Sequence, residues 1–131
     1  MAVADTGQRT VLVIEDDPWT RTITTALLAG EGFAVVEAKN GEEGLKRAHE
    51  HIPDAVLLDL ALPTKSGLEV LRELKSDIST MSIPVIVVSA YGSLMNDQDA
   101  HQAAGVIQKP FDYDDLVEQV ERATARTLIT A

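Results

Sequence analysis

The stretch Ala55-Val56-Leu57-Leu58-Asp59 decides the fold. Four consecutive apolar residues fit neither an amphipathic helix nor a half-exposed strand, which would alternate. A short continuous run of this kind is how a strand reads when helices cover both its faces. It finishes in a carboxylate that packing does not explain, so Asp59 is a candidate for chemistry. Working outward, similar runs occur at Val11-Leu12-Val13-Ile14, Ala34-Val35-Val36 and Val85-Ile86-Val87-Val88, with a weaker one at Val106-Ile107. Helix-like segments begin near Pro18, Gly41, Gly67, Leu94 and Asp112. Strand then helix, five times over, predicts an α/β chain of the (βα)5 type: a doubly wound, five-stranded parallel sheet.

The punctuation agrees. Asp17-Pro18 has the form of a helix cap followed by proline at the first helical position, and Gly30 and Gly32 mark a stop and a turn before the second strand. In the last helix Phe111, Leu116, Val117 and Val120 make an inward stripe, while Asp114, Asp115, Glu118 and Glu121 face water. There is no internal repeat, low-complexity segment or linker. One domain is expected over residues 10–127, with a flexible extension at 1–9 and a tail at 128–131.

Composition narrows the function. With 45% hydrophobic and 24% charged residues in 131, the chain can bury one core and fold alone. A formal net charge of −10 argues against direct binding of nucleic acid or an anionic membrane, because both require Lys and Arg to neutralise phosphate. The absence of cysteine excludes disulfides and thiolate metal sites and agrees with a reducing, cytoplasmic setting. Met1 to Gln8 lacks the apolar core of a secretion signal, and no apolar stretch approaches the roughly 18 residues of a membrane span.

Ligands of such sheets bind outside the carboxyl ends of the strands, where strand order reverses. The acids Glu15-Asp16-Asp17, the hydroxyl of Ser89, and Lys109 with Pro110 all fall where an apolar run stops, as Asp59 does. Strands one and three, if adjacent, lie about 4.8 Å apart, so their acids can share one metal ion. Oxygen ligands without His or Cys favour Mg²⁺, with Mn²⁺ as the second choice, over zinc.

Val11 to Pro18, Leu57-Leu58-Asp59-Leu60-Ala61-Leu62-Pro63 with Gly67, Val87-Val88-Ser89-Ala90 and Lys109-Pro110-Phe111 together resemble the receiver domain of two-component response regulators. The resemblance runs from about Val11 to Ala125 and implies a flavodoxin-like sheet with strand order 2-1-3-4-5. It implies that Asp59 is the phosphoacceptor and that Asp16 binds Mg²⁺ directly, with Glu15 acting through a water and the Ala61 backbone carbonyl completing the protein's share. It further implies that Lys109, joined to Pro110 by a cis bond, is the cation that stabilises the phosphoryl group. Ser89 would hydrogen-bond that group and move inward, drawing the fourth helix with it. Asp17 reads first as a helix cap and second as an aid to the metal. The implied partners are a sensor histidine kinase or phosphotransfer protein and a downstream protein target; the implied state is a monomer or a phosphorylation-dependent homodimer.

Other residues carry less. His49, His51 and His101 read as surface residues rather than relay sites, and Trp19 as a packing residue at the top of the first helix. The chain departs from the family pattern at Val106, where an aromatic residue is usual, and between Ser89 and Lys109, which is about two residues short. A trimmed fourth helix or following loop is therefore expected, and Tyr91 is expected to fill part of the space left by the missing ring. A stand-alone phosphoacceptor signalling module leads, since the chain ends soon after the fifth helix. The alternatives are a phosphorylation-independent interaction module, a phosphoryl relay or sink without a dedicated output, and a small phosphohydrolase. The last is disfavoured because Ala61 stands where a second acid would be needed.

Overall fold

A computed structural model describes residues 7–90 and 95–125. The elements alternate: β1 (Thr10–Ile14), α1 (Pro18–Gly30), β2 (Ala34–Ala38), α2 (Gly41–His51), β3 (Ala55–Asp59), α3 (Gly67–Ser76), β4 (Val85–Ser89), α4 (Asp97–Gln102), β5 (Gly105–Gln108) and α5 (Tyr113–Thr124). The strands form one sheet in the order β2-β1-β3-β4-β5, all parallel.

The unbroken apolar runs are explained by what covers each face. Leu12, Ile14, Val56, Leu58, Val85 and Val87 point to one side and pack with Ala48 of α2 and with Val70, Leu71 and Leu74 of α3. Val11, Val13, Leu57, Ile86, Val88 and Ile107 point to the other and pack with Leu28 of α1 and Leu116 and Val120 of α5. Successive strand residues alternate sides, so burying both faces requires every position to be apolar. The edge strand β2 runs two residues beyond the expected Val36, because Glu37 and Ala38 pair with Val13 and Ile14.

The helix ends follow the predicted chemistry. Asp17 caps α1, accepting from the Thr20 amide at 2.8 Å, with Pro18 at the first turn; the chain then turns through Gly32 at φ +95°. In the last helix Leu116 and Val120 are buried and Asp114, Asp115, Glu118 and Glu121 are exposed. Within residues 7–9, Arg9 donates to Thr124 Oγ1 at 3.2 Å and lies 5.0 Å from the centre of the Phe33 ring.

Two expectations need correcting. The fourth helix was expected from near Leu94, which lies outside the described residues. Its described part starts at Asp97, capped by Asn96, and ends at Gln102. Trp19 does not pack at the top of α1 but is 73% exposed. At about 100° per residue it lies ~140° around the helix from buried Thr24 and ~180° from buried Leu28.

Candidate active site

Every predicted site residue sits at or just past the carboxyl end of a strand, and main-chain pairing carries the sheet far enough to fix them. Glu15 follows β1, and its amide donates to Ala38 O at 3.0 Å. Asp59 closes β3 opposite Val88, and the next amide, Leu60, donates to Val88 O at 3.0 Å. Lys109 follows β5, its amide donating to Ser89 O at 2.8 Å. The side chains are therefore placed by ladder geometry more than by loop conformation.

Glu15, Asp16 and Asp59 each offer a carboxylate oxygen within 4.8 Å of the others; Glu15 and Asp59 are buried and Asp16 is exposed. Lys109 Nζ reaches in from the side, 3.2 Å from Asp59 Oδ2 and 3.4 Å from Glu15 Oε1. The other oxygens meet main-chain donors: Ala61 N–H to Asp59 Oδ1 at 3.0 Å, and Asp17 N–H to Glu15 Oε2 at 3.2 Å. Ser89 is buried at the end of β4. The Lys109–Pro110 bond is cis.

Too much negative charge is confined here for one lysine. Burial, reinforced by the hydrogen bond and charge of Asp59, pushes the Glu15 carboxyl up to about 7, against smaller opposing effects of the Asp17 amide and Lys109. Burial pulls the Lys109 ammonium down, but attraction to Asp59 and Glu15 outweighs it and leaves the group above its ordinary value. Both shifts describe a pocket that favours added positive charge.

The structure brings Glu15, Asp16, Asp59 and Lys109 together and sets Ser89 at the end of the strand between β3 and β5. Asp17 is exposed, and its carboxylate is engaged by the amide and hydroxyl of Thr20, which holds it below the usual carboxylate range. Ala61 adjoins the site through its amide. Val106 points outward and is 42% exposed. Tyr91 lies outside the described residues. His49, His51 and His101 are exposed, as expected, and His49 also bonds Asp77.

One contributor was not foreseen. Arg21, on α1, donates to the main-chain carbonyls of Glu15 at 2.7 Å and Asp16 at 3.4 Å, and its Nε pairs with Glu37 at 3.2 Å, which braces the acidic turn from behind. Its sequence signal is slight: a lone cation four residues after the cap.

The doubly wound parallel sheet thus carries at its carboxyl edge an acidic pocket of Glu15, Asp16 and Asp59 with Lys109 beside it. The chain belongs to the response regulator receiver domain family, whose model matches residues 11–121. It is a phosphoacceptor signalling module of two-component systems rather than a classical enzyme. It is 33% identical over 116 residues to the polar-differentiation response regulator DivK of Brucella anthropi, covering 86% of this chain and 94% of that protein. It is likewise 33% identical to protein PilH of Pseudomonas aeruginosa, covering 92% and 94%. The crystal structure of response regulator TrrA from Thermotoga maritima, in complex with Mg²⁺-BeF, superposes with a TM-score of 0.81 at 32% identity, covering 88% of this chain and 99% of that one. No helix among the described residues is long and apolar enough to cross a membrane.

Proposed function

We propose that this receiver domain accepts a phosphoryl group on Asp59 from the phosphohistidine of a sensor histidine kinase or phosphotransfer protein, in a reaction dependent on a divalent cation, and then signals through protein contacts. The observation that carries this reading is the convergence of Glu15, Asp16 and Asp59 with Lys109 at one edge of the sheet. A histidine kinase partner follows from membership of the family.

The donor set fits Mg²⁺, and Mn²⁺ after it. The ligands are all oxygen, and three carboxylate oxygens lie within 4.8 Å of one another, a crowding that a cation would relieve. Asp16 and Asp59 would hold the ion, Glu15 through a water, with the Ala61 carbonyl completing the protein's share; Asp17, occupied as a cap, is an outer aid. When bound, the ion neutralises charge on the phosphoryl oxygens.

An oxygen of Asp59 attacks phosphorus as the phosphorus–nitrogen bond breaks, and the electron pair leaves with the imidazole, giving an aspartyl phosphate and free histidine. Lys109, already 3.2 Å from Asp59 Oδ2, follows the charge from the carboxylate onto the transferring group. The Ser89 hydroxyl donates to a phosphoryl oxygen and links the event to β4 and the chain behind it.

Incubation with acetyl phosphate and Mg²⁺, followed by intact-mass measurement, tests the proposal. A single phosphoryl adduct is expected, absent in Asp59→Asn and absent with EDTA. Failure of the wild-type chain to form it would overturn the reading.

A further inference from the structure

We propose that Arg72 and Asp99 are positioning residues for this reaction: a latch that holds α4 where the unphosphorylated protein has it and so sets how readily Ser89 yields to a phosphoryl group on Asp59. The inference rests on the proposed function.

Asp99 is 4% exposed, an unusual place for a carboxylate. It sits on a six-residue helix, too short to hold its own position. Its amide is taken by the Asn96 cap at 2.8 Å, but its carboxylate turns to the neighbouring helix α3. There Arg72 grips it with a fork: Nε to Oδ1 at 3.1 Å and Nη2 to Oδ2 at 2.8 Å. The guanidinium beside it holds the Asp99 carboxyl below the usual carboxylate range. A two-pronged pair is specific in direction as well as strong, and opening it would cost Asp99 both of its guanidinium bonds, although Arg72 itself is largely exposed. A displacement of α4 therefore has to break the fork, besides the apolar contacts that Met95 and Ala103 make with the core.

The other end of the same segment is Ser89. It closes β4, one residue beyond Val88, which pairs with Asp59. A phosphoryl group would draw the Ser89 hydroxyl toward Asp59, ten residues before Asp99 in the chain, while Arg72 holds α4 to α3. Behind the helix the chain is fixed again, by the Ala104 amide on Val85 O at 2.8 Å. The latch and the phosphoryl group thus compete for one short segment. Weakening the latch favours the phosphoryl-bound arrangement, because a ligand shifts an equilibrium only by the difference in its affinity for the two states.

The test uses the full chain and its Asp99→Asn, Arg72→Gln and doubly substituted forms. Arg72→Lys, which keeps the charge but not the fork, is the conservative variant. Three quantities are measured: amide hydrogen exchange over residues 97–104 without ligand, affinity for Mg²⁺ alone, and affinity for beryllofluoride at saturating Mg²⁺. Exchange should quicken and beryllofluoride should bind about fivefold tighter in each single variant, at the low end of coupling between sites. The double variant should add nothing further, because both changes remove one contact. Arg72→Lys should fall between, and Mg²⁺ affinity should not move. Unchanged or weaker beryllofluoride binding in both single variants overturns the latch, as does a parallel fall in Mg²⁺ affinity, which would mean a general loosening of the fold. If the wild-type chain itself binds no beryllofluoride with Mg²⁺ present, the proposed function fails first, and the two failures are told apart.

Discussion

Gly67, the first residue of α3, lies so close to Asp59 that a Cβ added to it would stand 2.4 Å from the Asp59 carbonyl oxygen and 2.5 Å from Leu60 Cα. Both neighbours are main chain and cannot rotate away. The Gly67 amide meanwhile donates to Leu60 O at 3.0 Å, closing the loop that leaves Asp59. Gly67→Ala must push α3 off β3 or shift Asp59. A loss of about 1–3 kcal/mol in unfolding free energy is expected from overpacking, and a fall in acetyl-phosphate reactivity of roughly 10- to 100-fold from misplacing the reacting carboxylate. Gly30→Ala is the control, since nothing lies within 4 Å of its added Cβ and stability should hold or rise. Equal behaviour of the two variants in urea unfolding would contradict the packing argument.

Glu15 makes metal-free stability depend on pH. Its carboxyl titrates near 4.5 when unfolded and about 7 when folded, so between those values the native state holds the extra proton. Stability of the metal-free protein should therefore fall as pH rises through that window, by at most about 3.5 kcal/mol at ~1.4 kcal/mol per unit. Mg²⁺ should remove much of the slope, and its affinity should rise with pH until Glu15 has lost its proton. Unfolding at pH 5 and pH 8, with EDTA and with Mg²⁺, checks this. Glu15→Gln should flatten the metal-free profile.

Lys109 holds two acids that a cation also needs, so its removal should act in opposite directions on binding and reaction. Lys109→Met frees Asp59 and Glu15 and should tighten Mg²⁺ several-fold, as judged by calorimetry. On the proposed function the same change removes the cation that would follow the phosphoryl group, and it should slow acetyl-phosphate labelling by roughly 100-fold, the usual cost of losing one such donor. Weaker Mg²⁺ binding would show that the lysine organises the acids rather than competing for them.

His49 joins the end of α2 to the loop after α3. Its Nε2 lies 2.9 Å from Asp77 Oδ2 and its Nδ1 2.8 Å from Leu45 O, so both ring nitrogens face acceptors and only the doubly protonated ring satisfies both. Asp77, followed by Leu45 O, raises the His49 pKa above 6.5, and His49, helped by Ser79, lowers that of Asp77 below 3.8. The histidine's contribution is complete below 6.5 and lost as pH rises through its folded value; the aspartate's is complete above 3.8 and lost in acid. The pair should stabilise most between about pH 4 and 6.5. The difference in unfolding between wild type and His49→Gln should be larger at pH 5.5 than at pH 9, and a difference independent of pH would exclude a charged pair.

Most of the fold and the heart of the site are legible in the chain itself. The run ending at Asp59 exposes both at once, since continuous apolarity marks a strand covered on two faces and an acid at its end has no packing use. Asp17-Pro18 shows a helix start for equally local reasons. The expectations for Trp19 and the fourth helix fared worse. A tryptophan's burial depends on which side of a helix meets the sheet, and a helix's length depends on the loop and strand that confine it. Arg21 and the pair Arg72 and Asp99 are likewise unmarked: charged helix residues look alike until the neighbouring element is in place, and Asp99 lies 27 residues from its partner.

The linear order of residues determined the five strands, their helices and the acids and lysine that end them, because periodicity and caps act over a few neighbours. Only the tertiary structure decided that Lys109 sits between Glu15 and Asp59, that Gly67 admits no side chain, and that Arg72 reaches Asp99. Those relations arise when parallel strands lie side by side and helices close over them, and distances between elements far apart in sequence exist only once they have packed.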